Sequence, residues 1–260
     1  MNLPVRFIKV GEALSPTPVL EKGEGAALVY LHGLLGQEWN GLLDGLAQSH
    51  HVYAPAHVGS DEPEELHSLD GIYDLILYYD ELFDRLGLEK IDLVGHSFGG
   101  MVAAEIAAAY PARVNKLVLI DPLGLWRDDA PVEDHLLVPP ERQIALLLGD
   151  PGRADVKARM ALPEGSEEKI QELVRRVTTM ASTAHFLWPI PERGLAKRLH
   201  RIKAETLIVW GADDRLVPSS YVQDFANGLA KSKVVIVPGA GHTPQFDQPD
   251  VVSEAILNFL

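Results

Sequence analysis

The sequence contains no cysteine among its 260 residues. Disulfide bonds, thiolate metal ligands and a cysteine nucleophile are therefore excluded. It also lacks any apolar run approaching the roughly 18 residues that a membrane-spanning helix needs. The first ten residues show no long apolar stretch after a basic start, so no secretory signal is visible. From these absences we expect a cytoplasmic protein without a membrane span.

The sequence also has fewer basic than acidic residues. The chain carries 23 lysines and arginines against 37 aspartates and glutamates, which gives a formal net charge of -14. Phosphate groups repel so acidic a protein, so we expect no nucleic-acid partner. The hydrophobic fraction of 47% is large enough for a substantial core and excludes intrinsic disorder. We expect a monomer or a homodimer that acts on a small molecule.

Short apolar runs alternate along the chain with longer amphipathic segments. The runs lie at 26–31, 51–54, 91–94, 116–120, 206–210 and 234–237, and helical patterns lie at 72–86, 98–110, 219–229 and 250–260. Strands that are apolar throughout are buried on both faces, as in a parallel sheet. The order predicts an α/β fold with a doubly wound sheet, to which segment 3–25 adds antiparallel edge strands.

The alternation stops between residues 126 and 203. This segment shows helical patterns instead, at 141–148, 154–160, 166–181 and 194–202. In the third, Ser166 is the expected N-cap, and one apolar stripe is formed by Ile170, Leu173, Val174, Val177 and Ala181. We interpret 126–203 as a helical cap inserted into a core domain of 1–125 and 204–260; the alternative is extra helices of the core. The acidic cluster around 128–135 is expected to be a solvated loop.

The segment 91–100, IDLVGHSFGG, holds the strongest functional pattern. A predicted strand runs into Gly95-His96-Ser97-Phe98-Gly99, and a predicted helix follows. This is the G-x-S-x-G nucleophile elbow in its strand–turn–helix setting. The glycines allow strand and helix to approach closely, and the turn raises the Ser97 hydroxyl at the sheet edge.

A serine nucleophile needs a base that a third group orients. Of the ten histidines, His242 is the best candidate, because it lies in a glycine-containing loop after the last predicted strand. The acid is expected after the strand at 206–210. Asp214 fits best by its spacing from Gly211, while Asp213 and, more weakly, Asp121 stay as alternatives. Asp121 otherwise has the role of forming a turn.

The elbow also requires donors for a developing oxyanion. The backbone N–H of Phe98 follows the nucleophile, and a second donor is expected from the loop 31–36. We assign that second donor to the N–H of Leu34. His32, in the same loop, is expected to brace the loop rather than to act as a base.

Four motifs together resemble the α/β-hydrolase superfamily: LHGLLG (31–36), VGHSFGG (94–100), WGADDRLVP (210–218) and PGAGHTPQFDQP (238–249). The resemblance implies an eight-stranded, mostly parallel sheet with a helical cap after the sixth strand. It also implies that Leu34 serves the oxyanion loop, Ser97 the nucleophile, Asp214 the acid and His242 the base. The loop 54–61 departs from the D-x-x-G-x-G-x-S pattern of many relatives.

The nucleophile narrows the expected chemistry. Haloalkane dehalogenases and epoxide hydrolases of this superfamily carry an aspartate at the elbow, so Ser97 points instead to a carboxylic ester substrate. The first alternative is a carbon–carbon hydrolase of the meta-cleavage type, whose members typically carry Asn and Trp where this chain has His96 and Thr243. The second is a ligand sensor that keeps the fold.

The substrate pocket is expected between cap and sheet. Its apolar character predicts a small to medium hydrophobic substrate, and neither a cofactor nor a metal is required. The residues expected to bind the substrate are Leu35, Leu123, Trp126, Phe186, Leu187, Trp188 and Thr243.

Overall fold

A computed structural model of the protein describes residues 3–148, 150 and 152–260. It contains one eight-stranded sheet in the order β1-β2-β4-β3-β5-β6-β7-β8. The strands are β1 (Val5–Ile8), β2 (Thr17–Lys22), β3 (Ala26–Leu31), β4 (His50–Pro55), β5 (Ile91–His96), β6 (Val114–Ile120), β7 (Glu205–Gly211) and β8 (Ser232–Val237). All neighbours from β4 to β8 are parallel, whereas β1 and β2 pair antiparallel. The predicted α/β fold and its antiparallel edge are confirmed.

Helices connect and cover the strands. They are α1 (Gly41–Leu46), α2 (Ile72–Leu86), α3 (Phe98–Ala109), α4 (Pro140–Leu147), α5 (Ala154–Met160), α6 (Ser166–Leu187), α7 (Tyr221–Gly228), α8 (Pro244–Asp247) and α9 (Pro249–Phe259). The predicted helix at 194–202 is instead two 3-10 turns, Leu195–Lys197 and Leu199–Arg201. None of the helices in the part of the chain that the structure describes could cross a membrane.

The helix α1 is absent from the sequence prediction because it is short and contains two glycines. Its signal is Asn40, whose side chain accepts a hydrogen bond from the Leu43 N–H as an N-cap. The three leucines of α1 are buried and pack in a cluster with α9 on one face of the sheet. A second, larger cluster on the opposite face includes α2 and α3.

The segment between β6 and β7 contains α4, α5 and α6, and no strand is found among its described residues. Its contacts with the rest of the chain include an ion pair between Arg153 and Asp247 (2.7 Å) and the hydrogen bond from His185 Nε2 to the Leu69 carbonyl (2.7 Å). Arg159 pairs with Glu38 in the same way. The segment therefore lies over the loops that follow β3, β4 and β8.

The apolar stripe of α6 faces solvent, although such a stripe usually marks the buried face of a helix. Ile170 and Val177 expose 62% and 63% of their surface, while the buried side of the helix includes Thr179, Thr183 and Phe186. The predicted N-cap is also wrong, because Gly165 holds that position and Ser166 begins the helix. A stripe shows which helix face is apolar, but only the neighbouring elements decide which face is covered.

Candidate active site

Ser97 occupies a sharp turn between β5 and α3. Its backbone has φ +54° and ψ -116°, an unusual conformation for a residue with a side chain, and the residue is fully buried. A Cβ on Gly95 would lie 2.3 Å from the Gly99 carbonyl oxygen, and one on Gly99 would lie 2.1 Å from the Leu31 carbonyl oxygen. The two glycines of the motif are therefore required by backbone contact.

The structure brings Ser97, His242 and Asp214 into one hydrogen-bonded line. Ser97 Oγ lies 2.7 Å from His242 Nε2, and His242 Nδ1 lies 2.8 Å from Asp214 Oδ2. Because an ionised carboxylate only accepts, Nδ1 carries the proton and Nε2 is free to accept from the serine hydroxyl. All three side chains are buried.

The position of Asp214 separates it from the other acid candidates. Its Oδ1 accepts from the N–H groups of Leu216 (2.8 Å) and Val217 (3.0 Å), which hold the carboxylate toward His242. Asp213 is exposed, and its backbone N–H bonds the Ala240 carbonyl. Asp121 is fully buried close to Asp214, and its Oδ1 accepts from the Gly211 N–H (2.9 Å). Burial is the main cause that raises the pKa of Asp121 well above its usual value.

The atoms of Asp121, Asp214 and His242 that could bind a metal lie within 4.8 Å of one another. Metal binding requires the lone pair of a histidine nitrogen. Here Nδ1 donates its proton to Asp214, and Nε2 faces Ser97. The arrangement is therefore that of an acid–base pair, and the chemistry of these donors does not fit a metal centre.

One candidate oxyanion donor, Phe98, follows Ser97 in the chain, and the loop that contains the other, Leu34, comes close to the serine at Gly33. Phe98 is the first residue of α3, so its N–H belongs to the first turn, whose donors have no acceptor within the helix. Gly33, which precedes Leu34 in this loop, lies near the serine, since a Cβ on Gly33 would be 3.0 Å from Ser97 Cβ. The Gly99 N–H bonds the His32 carbonyl (3.1 Å) and ties this loop to α3.

Buried histidines brace the loops around Ser97. His57 Nε2 donates to the His32 carbonyl (2.8 Å), and the His57 N–H donates to His32 Nε2 (3.1 Å). His57 Nδ1 accepts from the Tyr79 hydroxyl. His96 Nε2 donates to the His242 carbonyl (2.7 Å), so it connects the elbow to the histidine loop.

These imidazoles stay neutral because they are buried. Burial lowers the pKa of His57 to about 4 and the pKa of His96 to about 3, and it lowers the pKa of His32 well below its usual value. His32 thus has the bracing place expected from the sequence. The roles of His57 and His96 were missed, because no local pattern shows which histidines the fold encloses.

The residues expected to bind the substrate divide between two cavities. A cavity of about 110 Å³ is lined by Leu34 and Leu35 together with residues of α4–α6. A second cavity, of about 150 Å³, is lined by Leu123, Trp126, Leu187 and Trp188, among others. Phe186 and Thr243 line neither of these two. Phe186 packs near Phe98, with 6.0 Å between ring centroids, and the Thr243 hydroxyl donates to the Leu147 carbonyl (3.1 Å).

The expectation that the acidic cluster is a solvated loop is wrong at His135. It is buried and lines the second cavity, and burial lowers its pKa to about 4. Within the described chain, its enclosed Nε2 has no hydrogen-bond partner. The neighbouring Asp134 accepts from the Trp188 Nε1–H (3.3 Å). A loop rich in acidic residues thus folds inward at one position.

A sequence model of the alpha/beta hydrolase family matches residues 28–255 of this chain. The chain belongs to that family. The resemblance drawn from the four motifs is therefore confirmed, as is the family's eight-stranded, mostly parallel sheet. This alpha/beta hydrolase carries the elbow motif and the His242 loop at the ends of β5 and β8 respectively.

One similar protein is named for the hydrolysis of a dienoate. Over 194 residues this alpha/beta hydrolase is 28% identical to the 2-hydroxy-6-oxo-6-phenylhexa-2,4-dienoate hydrolase of Comamonas testosteroni. That alignment covers 69% of this chain and 65% of the relative, so the match spans less than two thirds of the relative's length.

Solved structures show the same fold at low sequence identity. A bacterial membrane phospholipase A has a TM-score of 0.80 at 23% identity, covering 99% of this chain and 85% of the other. The naproxen esterase of Bacillus subtilis has a TM-score of 0.74 at 18% identity, covering 99% and 92%. Identities this low establish the shared fold alone.

Proposed function

We propose that this protein is a serine hydrolase that cleaves carboxylic esters through an acyl intermediate on Ser97. The observation that carries the proposal is the line of hydrogen bonds from Ser97 Oγ through His242 to Asp214, at 2.7 and 2.8 Å. These distances are within the reach required for a nucleophile and its general base. Membership in the alpha/beta hydrolase family supports a hydrolytic reaction.

In the proposed reaction, His242 Nε2 takes the Ser97 proton as Oγ attacks the ester carbonyl carbon. Negative charge moves to the carbonyl oxygen, where the N–H groups of Phe98 and Leu34 are assigned to stabilise it. Asp214 stabilises the imidazolium, which then protonates the departing alcohol. Water then takes the place of the alcohol and attacks the acyl carbon while it gives a proton to His242. The bond between the acyl carbon and Ser97 Oγ breaks, His242 returns the proton to Oγ, and the acid is released.

We further propose that residues 126–203 act as a cap that opens to admit the substrate. Ser97 is fully buried, so a substrate reaches it only if covering elements move. The ion pairs Arg159–Glu38 and Arg153–Asp247 connect this segment to the core and would separate on opening. The apolar and aromatic walls near Leu123, Trp126, Leu187 and Trp188 support a small to medium hydrophobic group on the substrate.

Carbon–carbon bond hydrolysis is the second candidate, favoured by one specific observation. The cavity beside Leu34 and Leu35 is lined by Arg159, Arg175 and Arg176, and arginine is suited to binding carboxylates. The named relative hydrolyses a dienoate, which carries a carboxylate. All three arginines are already paired with Glu38 or Glu172, however, which leaves less positive charge for a substrate.

Substitution of the nucleophile tests the serine mechanism. Ser97→Ala should reduce hydrolysis of p-nitrophenyl esters to the background rate while leaving the thermal unfolding midpoint close to that of the wild type. Asp214→Asn should lower kcat by a factor of roughly 10⁴, as for a misoriented base. Its matched control is Asp213→Asn, at the exposed neighbouring position, which should leave kcat unchanged. A Ser97→Ala variant that hydrolyses p-nitrophenyl esters at the wild-type rate would refute the proposal.

A substrate panel separates the two candidate reactions and the sensor alternative. Esters of increasing acyl length should be turned over with a higher kcat/KM than a ring-fission dienoate if the ester assignment is right. A preference for the dienoate that is lost on Arg159→Met would favour the carbon–carbon reaction instead. Tight retention of a ligand without multiple turnovers would identify a sensor.

A further inference from the structure

Asp121 places a second buried carboxyl group beside Asp214. It follows β6 with a backbone φ of +41° and is fully buried. Its Oδ1 accepts from the Gly211 N–H at 2.9 Å. Its Oδ2 is enclosed, and no donor reaches this atom among the residues that the structure describes. An enclosed carboxylate oxygen without a donor carries a large desolvation cost, so the ionised form of Asp121 is poorly accommodated.

Two adjacent carboxyl groups in a buried site cannot both ionise without strong repulsion, so a proton is retained on one of them. Hydrogen-bond donors decide which one keeps it. Asp214 accepts from three donors: the N–H groups of Leu216 and Val217, and His242 Nδ1. Asp121 accepts from one. Because donors stabilise the ionised form, Asp214 is the carboxylate and Asp121 holds the proton.

We propose that Asp121 is a positioning residue that stays protonated at neutral pH and donates its Oδ2–H to the Asp214 carboxylate. One carboxylate oxygen of each side chain lies within 4.8 Å of the other, and a proton on Oδ2 would make this enclosed atom a donor rather than an orphaned acceptor. The role of Asp121 is thus neither a simple turn former nor an alternative acid for His242. Its catalytic consequence rests on the proposed function, whereas its protonation does not.

The surrounding charges agree with this assignment. Asp214 and Asp247 both act on Asp121, and each disfavours a further negative charge there. Asp247 lies on α8 and pairs with Arg153 at 2.7 Å, and His242 faces the pair from the loop after β8. With Asp121 neutral, one negative charge, that of Asp214, adjoins His242. Asp214 then has a fourth donor, which fixes its orientation toward the imidazole.

Infrared difference spectroscopy tests the protonation directly. Asp121→Asn keeps the shape of the side chain, and its amide can still accept from Gly211 and donate to Asp214. At pH 7, the spectrum of wild type minus Asp121→Asn should show the C=O stretch of one protonated carboxylic acid. If Asp121→Asn instead lacks carboxylate bands that the wild type shows, the proposal is overturned. The readout requires no activity, so it stands whether or not the protein hydrolyses esters.

Kinetics test the positioning role. Asp121→Asn should keep kcat within about threefold of the wild type and leave the acid limb of the kcat/KM profile in place, because no charge is removed. Asp121→Ala removes the donor and should lower kcat by roughly tenfold or more, with KM less affected. If Asp121→Asn shifts the acid limb to lower pH, Asp121 is an ionised group and the proposal is wrong.

Thermal unfolding of both variants accompanies these measurements. If Asp121→Ala fails to fold, the comparison of wild type with Asp121→Asn still decides the matter through the pH profile and the infrared band. Equal losses of kcat in a folded Asp121→Asn and a folded Asp121→Ala would show that an amide cannot replace the carboxyl group, and would also contradict the proposal.

Discussion

Acidification to about pH 5.5 should destabilise this protein through the histidines that it buries in neutral form. Burial lowers the pKa of His57 and His135 to about 4 and of His96 to about 3, and it lowers the pKa of His32 well below its ordinary value. In the unfolded chain these imidazoles take up protons near pH 6.5. The unfolded state therefore binds more protons than the folded state below that pH, and the free energy of unfolding falls as the pH falls.

The size of the effect follows from this difference in proton binding. Between about pH 6.5 and about pH 5.5, each such histidine lowers the free energy of unfolding by about 1 kcal/mol, so the four together lower it by about 4 kcal/mol. Asp121 acts in the opposite direction, because burial raises its pKa and the folded state keeps a proton that the unfolded state loses. This contribution offsets part of the loss, so the net decrease is smaller than the sum over the four histidines.

Urea unfolding at a series of pH values measures this loss. His57→Gln should weaken the pH dependence over that interval by about 1 kcal/mol, since one proton-linked group is removed. The matched control is His67→Gln, at an exposed position, which should leave the pH dependence unchanged. A free energy of unfolding that stays constant or rises from pH 6.5 to pH 5.5 would refute the assignment of neutral, enclosed imidazoles.

Two further predictions concern the packing of α3 against its neighbours. The buried Glu105 accepts from Arg198 at 2.8 and 2.6 Å, so Arg198→Leu should lower the free energy of unfolding by about 3–5 kcal/mol in urea titrations, and adding Glu105→Leu should recover most of it. Gly99→Ala should cost about 3 kcal/mol or more, because the new Cβ would lie 2.1 Å from the Leu31 carbonyl oxygen, which belongs to the sheet. Gly41→Ala, where nothing lies within 4 Å, is the control, and an equal loss there would contradict this reasoning.

Local sequence patterns predicted the sheet well. The apolar strands and the helices 72–86 and 98–110 correspond closely to β3–β8, α2 and α3, because a buried parallel strand and a helix that packs on it need apolar residues at set spacings. The elbow could also be predicted from its local motif, although the contact that requires Gly99 comes from Leu31 on β3, which is far away in the chain. By contrast, α1 was missed, and 194–202 was predicted as one helix where the structure has two 3-10 turns, because short elements carry too little periodicity.

The composition of the candidate site could be predicted only in part. Ser97, Asp214 and His242 follow from their places after strands, although Ser97 and His242 are 145 positions apart. Of the residues expected to bind the substrate, Phe186 and Thr243 form packing and interloop contacts and line neither of the two cavities described above. Which side chains line a cavity depends on how α4–α6 lie on the core, and no spacing within those helices specifies that.

The amino-acid sequence by itself determined the order of strands and helices, the turn at Ser97 and the membership of this chain in its family, since each can be recognised from patterns of residues that are near one another in the chain. Only the tertiary structure decided that His57, His96 and His135 are enclosed, that the apolar stripe of α6 faces solvent, and that Asp121 meets Asp214. Burial and the pairing of charges depend on which distant elements pack together, and these contacts exist only once the chain has folded.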